Sequence, residues 1–198
     1  TGSASDRCTT TPSGPFRLLF FGRILPYKGV PMLLDAFARL REAGVNCTLT
    51  IAGRGHIGAP DALRNRPGVT IRDGWVPPET VGALLADADA VVLPYREASQ
   101  SGVIAAAYGS GLPVVATPVG GLVEQVVDGD TGLLAEAATP EALAAAIRRL
   151  IETPGLYETC RAGVARYAAA HAPDRFAAAL GDTVLRVTRR MDQSQPGA

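Results

Sequence analysis

The chain has 198 residues, 47% of them hydrophobic, which is enough to close a full core and excludes a disordered class. Its formal net charge is zero, which argues against a general binder of nucleic acid or of membrane surfaces. Three cysteines, Cys8, Cys47 and Cys160, are scattered and odd in number, so no disulfide framework or metal spacing follows, and a reducing, cytoplasmic setting is expected.

Residues 1–15 are rich in Thr, Ser, Gly and Pro and read as a linker or frayed end. They lack the charged-then-apolar pattern of a secretory signal. No run in the chain approaches the roughly 18 apolar residues of a membrane span. Residues 16–21, Phe-Arg-Leu-Leu-Phe-Phe, are nearly continuously apolar and predict a strand buried on both faces. The loop over 22–29 carries two cations, Arg23 and Lys28. Of the 19 basic residues 18 are Arg, so Lys28 is the only lysine. A compact ammonium in a chain that otherwise uses guanidinium suits a phosphate clamp.

The spacing of Leu33, Leu34, Phe37 and Leu40 predicts a helix over 30–43, stopped by Gly44. A second strand is expected over 46–52. Directly after it, Gly53-Arg54-Gly55-His56-Ile57-Gly58 is a complete G-x-G-x-x-G, and Asp73 lies 20 residues beyond Gly53. By pattern alone this reads as dinucleotide binding, with Asp73 on a ribose. Against that, the fingerprint follows the second strand and not the first, and only about two helical turns fit between Pro60 and Pro67. Asp73-Gly74 also reads simply as a strand-end turn.

A third strand is expected over 69–72. The loop Gly74-Trp75-Val76-Pro77 holds the sole Trp, either a half-buried aromatic or a wall for a nucleobase. Residues 78–88 predict a helix. Asp87-Ala88-Asp89 imitates the D-x-D of metal-dependent transferases, but at a helix end leading into a buried strand its carboxylates read as solvated turn groups.

Residues 90–93 predict a fourth strand, ended by Pro94. The polar loop Glu97-Ala98-Ser99-Gln100-Ser101-Gly102 leads into a small-residue helix over 103–108, and a fifth strand follows over 113–116. A strand's carboxyl end thus meets a helix N-terminus, which is where open parallel α/β sheets bind ligands and where anions are favoured. The loop over 117–122 contains Gly120 and Gly121, which permit close approach of ligand or backbone. A short helix over 123–127 bears Glu124, and a last short strand is expected over 132–134. Thr139-Pro140 is an N-cap with Pro at the first helical position. Helices are then expected over 141–152, 155–170 and 173–190, and a disordered tail over 191–198.

Alternating strands and helices predict an α/β fold, a doubly wound parallel sheet of five or six strands with right-handed crossovers. The reading is one Rossmann-like domain over 16–190 with a helical C-terminal extension. The loops over 22–29, 53–58, 74–77 and 94–102 then share one edge of the sheet. Two cations and helix N-terminal amides suit a diphosphate, and Glu97 beside them suits sugar hydroxyls. His56 and His171 lie far apart, no Cys/His cluster marks a metal site, and neither G-x-S-x-G nor G-K-[ST] occurs.

The segments Phe21-Gly22-Arg23, Lys28-Gly29, residues 49–55, Ala88-Asp89, Leu93-Pro94, Gly111-Leu112-Pro113-Val114-Val115-Ala116 and Gly120-Gly121-Leu122-Val123-Glu124 through Asp128-Gly129 to Thr131-Gly132-Leu133-Leu134 occur together, in order. Jointly they resemble the large retaining GT-B glycosyltransferase family (group 1, family 4) that includes sucrose synthases and bacterial mannosyl- and glucosyltransferases. The resemblance covers about residues 16 to 190 and concerns only the C-terminal, donor-binding half of that two-domain fold. It implies that Arg23 and Lys28 hold the diphosphate of a nucleotide sugar and offset the charge of the leaving nucleotide, with no metal and no separate cofactor. It implies that Gly74, Trp75 and Val76 touch the base. It places Glu97, Ser99, Gln100, Ser101, Gly102 and Val103 on the sugar and distal phosphate, with Gly22, Gly53 and Gly55 completing the donor site.

The chain departs from that pattern in two ways. Relatives commonly carry a second Glu eight residues after the first, on the following helix, where this chain has Ala105 and Ala106. The acceptor-binding N-terminal domain is also missing, so the resemblance implies a fragment or a subunit whose partner supplies that half, along with any peripheral membrane association. An exposed apolar patch is expected where it docks. Such a chain binds a nucleotide sugar but transfers sugar slowly or not at all. Two other readings stand beside this one: a non-catalytic nucleotide-sugar-binding or scaffold subunit, and an NAD-dependent oxidoreductase built on residues 53–58.

Overall fold

The structure is a computed structural model and describes residues 14–171. The linker reading of residues 1–13, the helix expected over 173–190 and the tail over 191–198 lie outside the described residues. Six strands form one sheet: β1 (Phe16–Phe21), β2 (Cys47–Gly53), β3 (Val69–Asp73), β4 (Ala90–Leu93), β5 (Val114–Ala116) and β6 (Gly132–Leu134). All neighbours pair in parallel, in the order β3-β2-β1-β4-β5-β6. The chain builds outward from β1 to β3 and then crosses back to lay β4 beside β1. The β1/β4 boundary is therefore a topological switch point, where the loops leaving the two strands part and open a crevice.

Among the described residues seven helices accompany these strands: α1 (Val30–Glu42), α2 (Asp61–Arg64), α3 (Pro78–Ala86), α4 (Gly102–Gly109), α5 (Leu122–Gln125), α6 (Pro140–Glu152) and α7 (Leu156–Ala170). Apolar periodicity decides their seating. Leu33, Leu34, Phe37 and Leu40 of α1 are all buried, and α1 packs against α6 while α4 packs against α7. Each large core side chain of this kind contributes about 1.5–3 kcal/mol by leaving water. Thr139 caps α6, its hydroxyl accepting from the Ala142 N–H at 3.3 Å, with Pro140 at the first position. Central β4 and β5 are buried at every residue, as a strand with helices on both faces requires. Edge strand β3 exposes Thr70, Arg72 and Asp73.

The expected elements are present, with shifts of one or two residues at their ends. One local expectation needs correction. Asp87 is exposed, but Asp89 is 4% exposed and not a solvated turn group. Its carboxylate accepts from Arg17 Nη2 at 2.7 Å, from Arg17 Nε at 3.0 Å and from the Arg17 backbone N–H at 2.8 Å. The hydrogen-bonded carboxylate draws the Arg17 pKa above its ordinary value. Arg17 opens β1 and Asp89 precedes β4, so the pair staples the central strands at the sheet edge opposite the crevice. Two strand starts brought together by pairing created that contact, which neither sequence neighbourhood foretold.

Candidate functional site

The crevice over β1 and β4 is a cavity of about 960 Å³. Its lining gathers the residues that two loops carry past the strand ends: Phe21, Tyr27 and Lys28 from the first, and Tyr95 through Val103 from the second. After Phe21 the chain turns through a short 3-10 segment, Pro26–Lys28, before α1. That turn delivers Lys28 to the cavity wall. Lys28 Nζ donates to Tyr95 Oη at 2.8 Å and stands 4.4 Å from the Tyr95 ring centroid. Tyr27 packs edge-on to Tyr95, and its carbonyl accepts from the Arg96 N–H at 2.7 Å, binding the two loops to each other.

The second loop is anchored at both ends. Tyr95 follows Pro94 directly and is 2% exposed, so its ring is core while its hydroxyl reaches the cavity. Buried Thr117 fixes the kink, its hydroxyl donating to the Tyr95 carbonyl. At the far end, the Gln125 amide grips the backbone of Ser101. Its Oε1 accepts from the Ser101 N–H at 2.9 Å and its Nε2 approaches the Ser101 carbonyl at 3.5 Å. Gln125 is steadied in turn by Tyr108, whose hydroxyl lies 3.1 Å from the Gln125 carbonyl and 2.7 Å from Thr131 Oγ1. Burial pushes that phenol up to about 12. The glycines at 120 and 121 are close-approach residues toward backbone: a Cβ at Gly120 would fall 1.7 Å from the Ala98 carbonyl oxygen, and one at Gly121 1.8 Å from that of Ser99. Only glycine lets the two loops nest this closely.

Of the residues expected at a donor site, the structure brings Lys28, Glu97, Ser99, Gln100, Ser101, Gly102 and Val103 into one cavity lining. Gly22 stands beside them, since a Cβ there would lie 3.8 Å from Lys28 Nζ. Arg23 is exposed on the same loop and does not line the cavity. Trp75 and Val76 line a separate depression of about 240 Å³ beyond β3. Trp75 is 72% exposed, so the half-buried alternative for it does not hold. Gly53 and Gly55 serve the neighbouring backbone: a Cβ on either would strike the Gly22 or Ile24 carbonyl oxygen within 2.0 Å. That packing explains the first two glycines of the G-x-G-x-x-G without a dinucleotide. The fingerprint follows β2, and no helix opens after it until Asp61.

Tyr95 and Arg96 lie inside the loop over 94–102 that the sequence marks, but neither is assigned a role of its own from sequence, and Thr117 and Gln125 are not singled out as site residues. A Tyr immediately after a strand-ending Pro at a switch point was an available signal for Tyr95. Nothing in the sequence singles out Gln125 over its neighbour Glu124, which is exposed.

The model of the family described as glycosyl transferases group 1 matches residues 15–153. The chain belongs to that family. A glycogen synthase of Mycobacterium tuberculosis is 33% identical over 189 residues, covering 93% of this chain and 46% of that protein. A D-inositol 3-phosphate glycosyltransferase of Corynebacterium glutamicum is 36% identical over 143 residues, covering 67% of this chain and 34% of that protein. Among solved structures, sucrose-phosphate synthase from Thermosynechococcus elongatus superposes with a TM-score of 0.72 at 24% identity, over 90% of this chain and 47% of its own. HepE from Anabaena, solved in complex with UDP and glucose, gives 0.67 at 25% identity, over 78% and 44%. This glycosyl transferase group 1 chain therefore spans about a third to a half of the length of these relatives, with the GT-B, Rossmann-like fold they share. No helix among its described residues is long and apolar enough to cross a membrane.

Proposed function

We propose that this chain is the donor-binding half of a retaining glycosyltransferase, taking a nucleotide-diphosphate sugar and passing the sugar to an acceptor held by a second domain. One observation carries the reading: in a chain of this family, the β1/β4 crevice collects a lone ammonium, a carboxylate and a polar lip leading into a helix N-terminus. The similarity to HepE, whose structure holds UDP and glucose, supports the same class of ligand. Lys28 takes the diphosphate, with Arg23 reaching in from the rim when donor is bound. The developing charge on the leaving nucleotide is met by these cations and the first amides of α4, so no metal and no separate cofactor is proposed. Glu97 accepts from sugar hydroxyls. Trp75, outside the cavity in this structure, supplies an exposed ring for the base end of the donor.

The acceptor-binding half is proposed to come from beyond these residues. Tyr27, Trp75 and Val123 are exposed large hydrophobics on segments that follow strand carboxyl ends, the side that faces such a partner. Without it the cleft stays open to water, and transfer is slow or absent because closure completes such sites. A cytoplasmic setting agrees with the buried, unpaired Cys47 and Cys160. Calorimetric titration with UDP, GDP and ADP against NAD tests the proposal. Saturable binding of a nucleoside diphosphate with no preference for NAD is the expected result, and preference for NAD would overturn it. Donor binding that persists without any transfer when an acceptor-binding half is supplied would instead assign the chain as a binding subunit.

A further inference from the structure

A chain of three polar groups leads from Lys28 into the lip, and chemistry fixes the direction of its first link. Lys28 Nζ lies 2.8 Å from Tyr95 Oη, and an ammonium can only donate. Tyr95 Oη therefore accepts from Lys28, and its own proton is free for the next group. That group is Ser101 Oγ, 3.5 Å away, a gap across which either hydroxyl can donate. With Ser101 Oγ accepting from the phenol, the Ser101 hydroxyl proton has no acceptor within the protein among the described residues. Ser101 is 5% exposed yet lines the cavity. It does not cap α4 through its side chain, and its backbone is clamped by Gln125. With the phenol proton on Ser101 Oγ, this buried hydroxyl turns its own proton to the cavity.

We infer that Tyr95 is a positioning residue that relays the charge of Lys28 into the Ser101 hydroxyl, presenting that hydroxyl to the cavity as a donor for an anionic ligand oxygen. Resting on the donor-site reading above, the inference narrows it. Ser101 serves a phosphate oxygen and not a sugar hydroxyl, and Tyr95 links the charge on the first loop to the lip on the second. The Tyr95 ring has its own core role, so removal of the hydroxyl alone isolates the relay.

Two measurements test it, one of them without any ligand. Because Lys28 is the sole lysine, lysine-selective 15N labelling of the full chain gives a single side-chain ammonium resonance. The relay requires a slowly exchanging 15Nζ–1H signal in the ligand-free protein, lost in Y95F and kept in S101A. Identical spectra for the parent chain and Y95F would overturn it, as would the absence of a slowly exchanging signal in the parent. In the second measurement, UDP and uridine are titrated into the parent chain, Y95F, S101A and the double variant. Y95F and S101A should each weaken UDP about tenfold and leave uridine within twofold. The double variant should be no more than about threefold worse than either single one, since both break the same relay. Multiplicative losses, or equal losses for UDP and uridine, would overturn the inference. A parent chain that shows the ammonium signal but binds no nucleoside diphosphate would remove the donor reading and, with it, the phosphate assignment of Ser101, while the Lys28–Tyr95 contact would stand.

Discussion

Lys28 is placed at the cavity by three short-range facts: the turn at Pro26–Lys28, the hydroxyl of Tyr95 and the neighbouring Gly22. If it carries the diphosphate, Lys28→Ala removes a charge-assisted hydrogen bond and weakens nucleoside diphosphate binding by about 1–3 kcal/mol. Uridine affinity should not change, and calorimetry on both ligands reads the difference. Asp89 provides the contrast. Asp89→Ala leaves three Arg17 donors without their carboxylate at a buried strand start. About 2–3 kcal/mol of stability should be lost, below the range for a fully buried pair because the Arg17 side chain is 45% exposed. Urea denaturation measures that loss. Diphosphate affinity of the folded variant should stay within twofold, because Asp89 lies at the opposite edge of the sheet. A large affinity loss there would argue against placing the site at the β1/β4 crevice.

The lip from Glu97 to Ser101 has no regular structure of its own, and its shape is imposed by β5, α5 and the loop between them. Gly121 has φ −70°, which alanine adopts freely, so Gly121→Ala tests packing alone. A Cβ there lies 1.8 Å from the Ser99 carbonyl oxygen, so the lip must move. The far-ultraviolet circular dichroism should stay that of the parent, the melting temperature should fall by several degrees, and UDP affinity should drop more than tenfold. Unchanged affinity would show that the lip geometry does not matter to the ligand. The elements themselves were legible in advance: buried strands as apolar runs, α1 from its Leu and Phe spacing, α6 from Thr139-Pro140. The nesting of Gly120 and Gly121 against the lip was not, since a glycine pair in a turn serves ligand and backbone equally well until the neighbouring loop is in place. The G-x-G-x-x-G misleads for the same reason, because its first two glycines satisfy contact with Gly22 and Ile24.

Taken whole, the molecule is a sheet with its switch-point crevice open on one edge and an ion-paired staple on the other. Aromatic hydroxyls buried behind that sheet give it a defined alkaline limit. Tyr108 and Tyr157 are both pushed from 10 to about 12, chiefly by burial. For groups whose folded pKa is raised, the stabilising contribution is intact below the unfolded value of about 10 and drains away as pH rises toward 12. The melting temperature should therefore fall across that window, and absorbance at 295 nm should show Tyr108 and Tyr157 ionising only near its upper end. Ionisation of Tyr108 and Tyr157 near pH 10 in folded protein would contradict the burial.

The sequence by itself determined the sheet, the order of its helices, the family and the loop that meets the helix N-terminus. The elements follow from apolar periodicity, caps and glycine or proline punctuation, which act over a few residues and survive reading in one dimension, while the family rests on the joint resemblance of motifs along the chain. The tertiary structure alone decided which loop residues meet. It brought Lys28 against Tyr95 and Gln125 against Ser101, and it left Arg23 and Trp75 outside the cavity. Such contacts join positions 24 to 67 residues apart, and they exist only because β4 pairs beside β1 and β5 beside β4, which brings their loops together.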